Sequence, residues 1–173
     1  MAPASLFSAW HEFFALIGAA AATLIGAMFV VVSIGMGILS RDRIRAIGAF
    51  LSATVIHLTA VLLGSALTLV PGLDWWGFGV VAGLAGIAGL VYAANIIRGF
   101  GEHPHTGLDD WFWYAICPPV CYAALLAAGI MALRGAAASR DLFAAVVVAL
   151  LLLGIRNAWD MIVFLVTRNR DTT

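Results

Sequence analysis

The chain has 173 residues, of which 64% are apolar and only 10% are charged. Soluble domains carry about 25% charged residues, so this chain cannot cover a water-facing surface and its main solvent must be lipid. Its nine basic residues balance nine acidic ones, and the zero net charge excludes the broad basic surface that nucleic acid requires. At this length we expect one domain, residues 1–173, with the lipid bilayer as its surroundings.

Five apolar windows are long enough to cross a bilayer, which takes about 20 helical residues. They cover residues of about 10–39, 44–70, 76–97, 111–133 and 142–167. The first basic residue is Arg41, too late for a cleaved signal peptide, so we expect the first window to be retained. The sequence predicts an all-α membrane protein, a bundle of about five transmembrane helices joined by short loops.

The distribution of arginine indicates the orientation of the bundle, because cytoplasmic loops are enriched in positive charge. With the N-terminus outside, the segments on the inside contain Arg41, Arg43, Arg45, Arg98, Arg168 and Arg170. The segments on the outside then contain only Arg134 and Arg140. We therefore expect the N-terminus outside and the C-terminus inside.

Prolines and small residues indicate how the helices are built and packed. Pro118 and Pro119 lie early in the fourth window and remove two backbone donors, which predicts a kink or a helix that starts properly only after them. Small residues recur at helical spacing in the first and third windows, and they let helix backbones approach closely. They are Gly18, Ala22 and Gly26, and Gly77, Gly79, Gly83, Gly86 and Gly89. They suit packing within one protomer or an interface in a homo-oligomer.

A few polar residues fall inside the predicted spans. Arg156 and Asp160 are four residues apart on one helix face and can form an ion pair, with Asn157 beside them. Arg156 follows Leu142 by 14 residues, which places it about 21 Å into the membrane. Such residues usually face the bundle interior and are functional. The alternatives are a neutralised pair that fixes helix register, a substrate or ion pathway, and a redox or metal role.

His57 lies at a similar depth, about 18 Å beyond Arg45 at the helical rise. Polar residues of the second and fifth helices are therefore predicted to form one intramembrane cluster. Its members are Thr54, His57, Arg156, Asn157 and Asp160. His57 itself suits a hydrogen-bonded core residue, a proton relay, or a ligand of haem or metal.

The loop before the fourth helix is the densest set of potential metal ligands, since zinc accepts imidazole and carboxylate. Its members are Glu102, His103, His105, Asp109 and Asp110. A solvated loop is the alternative, with the two aspartates as helix N-caps. Cys117 and Cys121, in an apolar stretch, suit packing better than a disulfide.

Two stretches of the sequence carry a resemblance. One runs from Glu12-Phe13-Phe14 through Ala22-Thr23-Leu24-Ile25-Gly26 to Phe29-Val30-Val31-Val32-Ser33, and the other is Gly154-Ile155-Arg156-Asn157-Ala158-Trp159-Asp160. Together they resemble a group of small multi-span bacterial inner-membrane proteins without an established activity. The resemblance implies a multi-pass protein of the bacterial inner membrane and transfers no catalytic or binding residue.

Three functional hypotheses follow. No phosphate loop, dinucleotide fingerprint, GxSxG or HExxH motif is present, which argues against an enzyme. The first hypothesis is a non-enzymatic accessory or scaffold protein that packs against itself or a larger membrane complex. The second is an oligomeric channel or transporter for ions, protons or small solutes that uses His57, Arg156 and Asp160. The third is a haem-binding or metal-binding redox protein, and no particular cofactor is assigned.

Overall fold

The structure is a computed structural model that describes residues 7–36, 41–100 and 111–168. Within these ranges, side chains are described except at 34–36, 41–52, 99–100, 111, 161 and 164–168. The described residues form five α-helices and no strand. The helices are α1 (His11–Met36), α2 (Arg41–Thr68), α3 (Trp75–Phe100), α4 (Cys117–Leu133) and α5 (Ala138–Arg168).

Four of these helices are long and apolar enough to cross a membrane. The crossing segments are Ser8–Ser33, Trp75–Arg98, Phe112–Leu133 and Ala138–Asp160. The apolar part of α2 with described side chains, Ala53–Thr68, is shorter. The prediction of an all-α membrane protein is therefore confirmed.

The prolines of the fourth window lie at a helix start. Residues Trp111–Ile116 form a π-helical turn, and α4 begins at Cys117. Pro118 and Pro119 thus fall in the first turn of α4, where backbone N–H groups have no intrahelical partner and proline removes nothing. The irregularity that the prolines predict is the π-helical turn, and α4 continues unbroken to Leu133.

The helices pack in an order that differs from their order in the chain. Helix α1 packs on α2, α2 on α5, α5 on α4, and α4 on α3. The close contacts of Gly64 with Phe143 and of Gly154 with Leu58 show that α2 and α5 are antiparallel. An aromatic cluster of Phe7, Phe14, Phe78 and Phe143 fills one end of the bundle. The N-terminal ends of α1, α3 and α5 consequently lie on the same side.

The closest helix pair is α3 with α4, and glycine makes it close. A Cβ at Gly86 would lie 2.6 Å from the backbone nitrogen of Leu126, and a Cβ at Gly129 would lie 2.6 Å from that of Gly83. A Cβ at Gly79 would collide with Leu133 at 2.8 Å. The glycines of this seam therefore serve packing within one protomer, which was one of the two interpretations of their spacing.

Candidate functional site

A hydrogen bond between histidine and tyrosine lies in the interior of the bundle. His57 of α2 is 2% exposed, and its Nδ1 lies 2.8 Å from the hydroxyl oxygen of Tyr122 on α4. Either the tyrosine hydroxyl donates to Nδ1 or the Nδ1–H group donates to the hydroxyl oxygen, depending on the tautomer. Each group thereby has a partner in a lipid-embedded bundle, where an unpaired polar group is costly.

Two residues of α3, Gly89 and Tyr92, pack around the hydrogen bond between His57 and Tyr122. A Cβ at Gly89 would overlap the ring of Tyr122, so glycine at this position lets the ring lie against the α3 backbone. One turn further, the ring of Tyr92 packs edge-on to His57 with 6.5 Å between centroids. The Tyr92 hydroxyl is buried and has no hydrogen-bond partner among the described residues. We call His57, Tyr92 and Tyr122 the His–Tyr cluster.

The hydrogen-bonded pair of the His–Tyr cluster, His57 and Tyr122, lies midway across the predicted membrane. Tyr122 is twelve residues before Arg134, or about 18 Å at the helical rise, and nine residues after Trp113, or about 14 Å. Arg134 and tryptophan are residues that mark the two interfaces of a bilayer. The mid-membrane depth that the sequence predicts for His57 therefore agrees with the helix packing.

Arg156 and Asp160 form a second polar group. The Arg156 Nε lies 3.1 and 3.0 Å from the two carboxylate oxygens of Asp160, and the Tyr114 hydroxyl donates to Oδ2 at 3.2 Å. The guanidinium also lies over the ring of Trp113, 5.2 Å from its centroid. The arginine and aspartate side chains remain 39% and 29% exposed. We call these four residues the ion-pair cluster.

The ion-pair cluster lies near one membrane boundary. Because Gly89 faces Tyr122 across antiparallel helices, Arg98 is level with Trp113, which contacts Arg156. Arg156 is also sixteen residues beyond Arg140, or about 24 Å of a hydrocarbon layer about 30 Å thick. The pair is therefore closer to the boundary than the count from Leu142 indicates, and an interfacial position suits its partial exposure.

Thr54 and Asn157 lie between α2 and α5. A Cβ at Gly154 would lie 2.6 Å from Leu58, which sets the register of the two helices. Thr54 is four residues before Leu58 and Asn157 three after Gly154, so the two lie level on facing helices. Both are fully buried. The amide nitrogen and oxygen of Asn157 have no hydrogen-bond partner among the described residues.

The five residues predicted to share one cluster thus have three kinds of surroundings. His57 is bonded to Tyr122, and Arg156 and Asp160 are bonded to each other. Thr54 and Asn157 lie buried at the same level of α2 and α5, and the prediction that all five residues share one cluster stays a prediction. The partners that sequence reasoning missed are Tyr92, Tyr114 and Tyr122 and the ring of Trp113. For Tyr92 and Tyr122, the available signal was a tyrosine inside a predicted span that is otherwise almost free of polar atoms.

We expect Asp160→Asn to destabilise the protein by about 1 kcal/mol, because Arg156 loses its counter-charge while the amide keeps the shape and an acceptor for Tyr114. Partial exposure limits the effect. Unfolding by sodium dodecyl sulfate in mixed micelles, followed by circular dichroism, measures it. The matched control is Asp141→Asn, at an exposed position in the first turn of α5. This change should lower the stability by only a few tenths of a kcal/mol. Equal losses in the two variants would contradict a stabilising ion pair.

The predicted metal ligands cannot be placed. Glu102, His103, His105, Asp109 and Asp110 all lie outside the described residues, so the metal hypothesis for this loop stays a prediction. Across the described part of the chain, no group of three His, Cys, Asp or Glu side chains is placed to hold a metal ion. Cys117 and Cys121 are free thiols that pack against the core.

Comparisons of the chain with protein-family models, with curated proteins and with solved structures found no match. The fold therefore defines a class and no family: this is a multi-pass α-helical membrane protein. Its described interior holds a His–Tyr cluster, whose hydrogen-bonded pair lies at mid-membrane depth, and an ion-pair cluster near one boundary. The resemblance of its first and fifth helices to small bacterial inner-membrane proteins remains an expectation.

Proposed function

We propose that this chain is a non-enzymatic accessory protein that associates through α1 with a second copy of itself or with a larger membrane complex. The observation that carries the proposal is an exposed face of small residues on α1. It belongs, in this proposal, to the inner membrane of a bacterium, with the N-terminus outside. The orientation follows from the arginine distribution, and the location from the resemblance of the first and fifth helices.

Helix α1 has two different faces. One face is buried against the bundle at Phe14, Ala21 and Met28. A second stripe, roughly 110° around the helix from the buried one, is exposed and has small residues at every third or fourth position: Ala15, Ala19, Ala22 and Gly26. The exposed surface beside it carries the larger side chains Leu16, Phe29 and Val30. Only 17% of the α1 span is buried within the protomer, against 50% of the α5 span. Among the four spans, the first therefore has the smallest share of buried residues, followed by the α3 span at 22%.

A face of this composition suits a neighbouring helix better than lipid. Lipid chains are as apolar as leucine, so helices associate in a bilayer through close packing, and small residues permit it. A Cβ at Gly26 would meet nothing within 4 Å, so the surface of α1 is uncovered at this residue. The Thr23 hydroxyl donates to the Ala19 carbonyl at 2.9 Å, which leaves no unpaired polar group on the face.

The glycines of α3 can be compared with the small residues of α1 in the same protein. All but Gly77 face α4, and their spacing is explained within the protomer. The small residues of α1 have the same kind of spacing and no such cover among the described residues, apart from Gly18, where a Cβ would lie 3.1 Å from Ser65. This contrast supports an intermolecular partner for the rest of the α1 face.

The test is the oligomeric state after one small residue is enlarged. We expect Ala22→Leu to shift the protein toward the monomer in lipid nanodiscs, because the larger side chain separates the helix backbones. Single-molecule photobleaching of a labelled chain counts the copies. The control is Ala88→Leu, an exposed position on α3, which should leave the count unchanged.

Cysteine cross-linking distinguishes self-association from a larger complex. With Cys117 and Cys121 replaced by alanine, Ala19→Cys should cross-link to a second copy or to another membrane protein in cells. A monomer in nanodiscs, together with no cross-linked species in cells, would overturn the proposal.

A conduit for protons or small ions is the second candidate. Its support is the mid-membrane position of His57 and the two buried groups, Tyr92 Oη and Asn157, that lack partners among the described residues. Ionisable residues at this depth frequently serve proton relays. The test is the flux of protons or small ions into proteoliposomes. Equal flux in the wild type, Asp160→Asn and His57→Ala would contradict the conduit hypothesis.

A further inference from the structure

The Arg156–Asp160 pair borders the lipid-facing surface of α5. Leu152 and Trp159 lie one turn before and one turn after Arg156, and they are 58% and 63% exposed. The arginine and aspartate side chains are themselves 39% and 29% exposed. A molecule in the surrounding bilayer can therefore reach both charges without entering the bundle.

The pair presents both signs of charge at one membrane boundary. The Nε atom of Arg156 lies 3.0 Å from Oδ2 of Asp160, so a positive and a negative group are adjacent. A guanidinium group binds phosphate through charge-assisted hydrogen bonds, and a carboxylate accepts such bonds from an ammonium group. A ligand that carries a phosphate and an ammonium group a few bonds apart would therefore complement both side chains.

One oxygen of Asp160 can accept a further hydrogen bond. Oδ2 accepts from the Tyr114 hydroxyl at 3.2 Å and from Nε of Arg156 at 3.0 Å. Within the described part of the chain, Oδ1 accepts only from Nε of Arg156, at 3.1 Å. Since a carboxylate oxygen has about two acceptor sites, Oδ1 can also accept from an N–H group of a ligand. A primary ammonium group supplies such a donor, and a quaternary ammonium group does not.

Small side chains line the strip where α4 and α5 meet beside the lipid. The strip is formed by Cys117, Cys121 and Ala124 of α4 and by Ala145 and Ala149 of α5, all half-buried or exposed. The two alanines of α5 are seven and eleven residues before Arg156 and share its helix face. The contact of Tyr114 with Asp160 places the α4 residues at matching depths on the antiparallel helix. The strip is about 16 Å long, or half of a hydrocarbon layer about 30 Å thick, so it suits an acyl chain of one leaflet.

We propose that α4 and α5 bind a phospholipid with an ethanolamine headgroup, with the phosphate at Arg156, the ammonium group at Asp160 and one acyl chain along the strip of small residues. A choline headgroup has no N–H group for Oδ1 of Asp160. An anionic headgroup without an ammonium group would place its negative charge beside the carboxylate. The site does not involve α1 and is independent of the accessory role proposed above.

The experiment titrates the full chain in detergent with three dioleoyl lipids, which are phosphatidylethanolamine, phosphatidylcholine and phosphatidylglycerol. Native mass spectrometry measures the apparent affinity for each lipid from the fraction of protein that carries it. We expect the ethanolamine lipid to bind about tenfold more tightly than the choline lipid, the effect of one charge-assisted hydrogen bond. The glycerol lipid should bind no more tightly than the choline lipid.

Two variants assign the two charges of the site. Asp160→Asn keeps the shape of the side chain and should remove the preference for ethanolamine over choline. Arg156→Gln should weaken the binding of both lipids about tenfold, because both contain a phosphate. The matched control is Arg140→Gln, since Arg140 lies over the ring of Trp75 at the opposite boundary, 5.8 Å from its centroid. This control should leave the preference unchanged.

A third variant tests the acyl strip. Ala149→Phe fills the strip and should weaken the binding of the ethanolamine and choline lipids alike, while Ala94→Phe, at an exposed position on α3, should weaken neither. Circular dichroism verifies that each variant is folded before affinities are compared. Equal affinity of the wild type for ethanolamine and choline lipids would overturn the proposal. An unchanged preference in Asp160→Asn, unchanged binding in Ala149→Phe, or tightest binding of the glycerol lipid would overturn it as well.

Discussion

Replacing Gly86 by alanine should destabilise the protein by about 1 to 3 kcal/mol, as overpacked contacts do. The added Cβ would lie 2.6 Å from the nitrogen and 2.8 Å from the Cα of Leu126. These are backbone atoms of α4, which cannot rotate away as a side-chain end would. The only relief is separation of α3 from α4, and that weakens the closest seam of the bundle. Unfolding by sodium dodecyl sulfate in mixed micelles measures the loss.

Gly83→Ala is the matched control, one turn away on the same seam. A Cβ at this position meets only the Cδ1 atom of Leu126 at 4.0 Å, an ordinary contact. Alanine also has the higher helix propensity, by roughly 1 kcal/mol. We therefore expect Gly83→Ala to be neutral or stabilising. If both variants lose the same stability, the seam is not as close as the structure describes.

Tyr122→Phe should also destabilise the protein, by about 1 to 3 kcal/mol, because it leaves Nδ1 of buried His57 without its partner. The ring and its contact with Gly89 remain, so the loss reports the hydrogen bond and not the packing. Heating in detergent, followed by circular dichroism, is the measurement.

A double-mutant cycle measures the coupling free energy between His57 and Tyr122. His57→Leu should cost a similar amount, since the Tyr122 hydroxyl is then unpaired in an apolar interior. With both residues changed, neither polar group remains, so the double variant should lose less than the sum of the single losses. Strictly additive losses would show that the two groups do not stabilise each other.

The helices were predictable because hydropathy is a local property. Lipid requires about 20 apolar residues per crossing, and the ends of these runs are marked by residues such as Arg98, Arg134 and Asp74. The boundaries of α3, for instance, differ from the predicted 76–97 by only a few residues. The start of α4 was less predictable, because two adjacent prolines suit either a kink or a helix start. The π-helical turn before Cys117 depends on how the segment packs.

The site was predictable only in part. His57 and the Arg156–Asp160 pair stand out because polar atoms are rare in the spans, and the pair is four residues apart in one helix. Their partners on other helices could not be inferred, since Tyr122 is 65 positions from His57 and no spacing rule connects them. The interfacial position of the ion-pair cluster also required the register between α3, α4 and α5.

The sequence alone determined that this chain lives in a bilayer and that it does so as a set of apolar helices, because both follow from composition summed along each segment. Only the tertiary structure decided which faces meet. Glycine contacts at Gly86 and Gly154 set the registers of neighbouring helices, and register is a relation between segments distant in the chain. That relation pairs His57 with Tyr122, leaves the α1 face uncovered in the protomer, and brings Trp113 and Tyr114 to the Arg156–Asp160 pair.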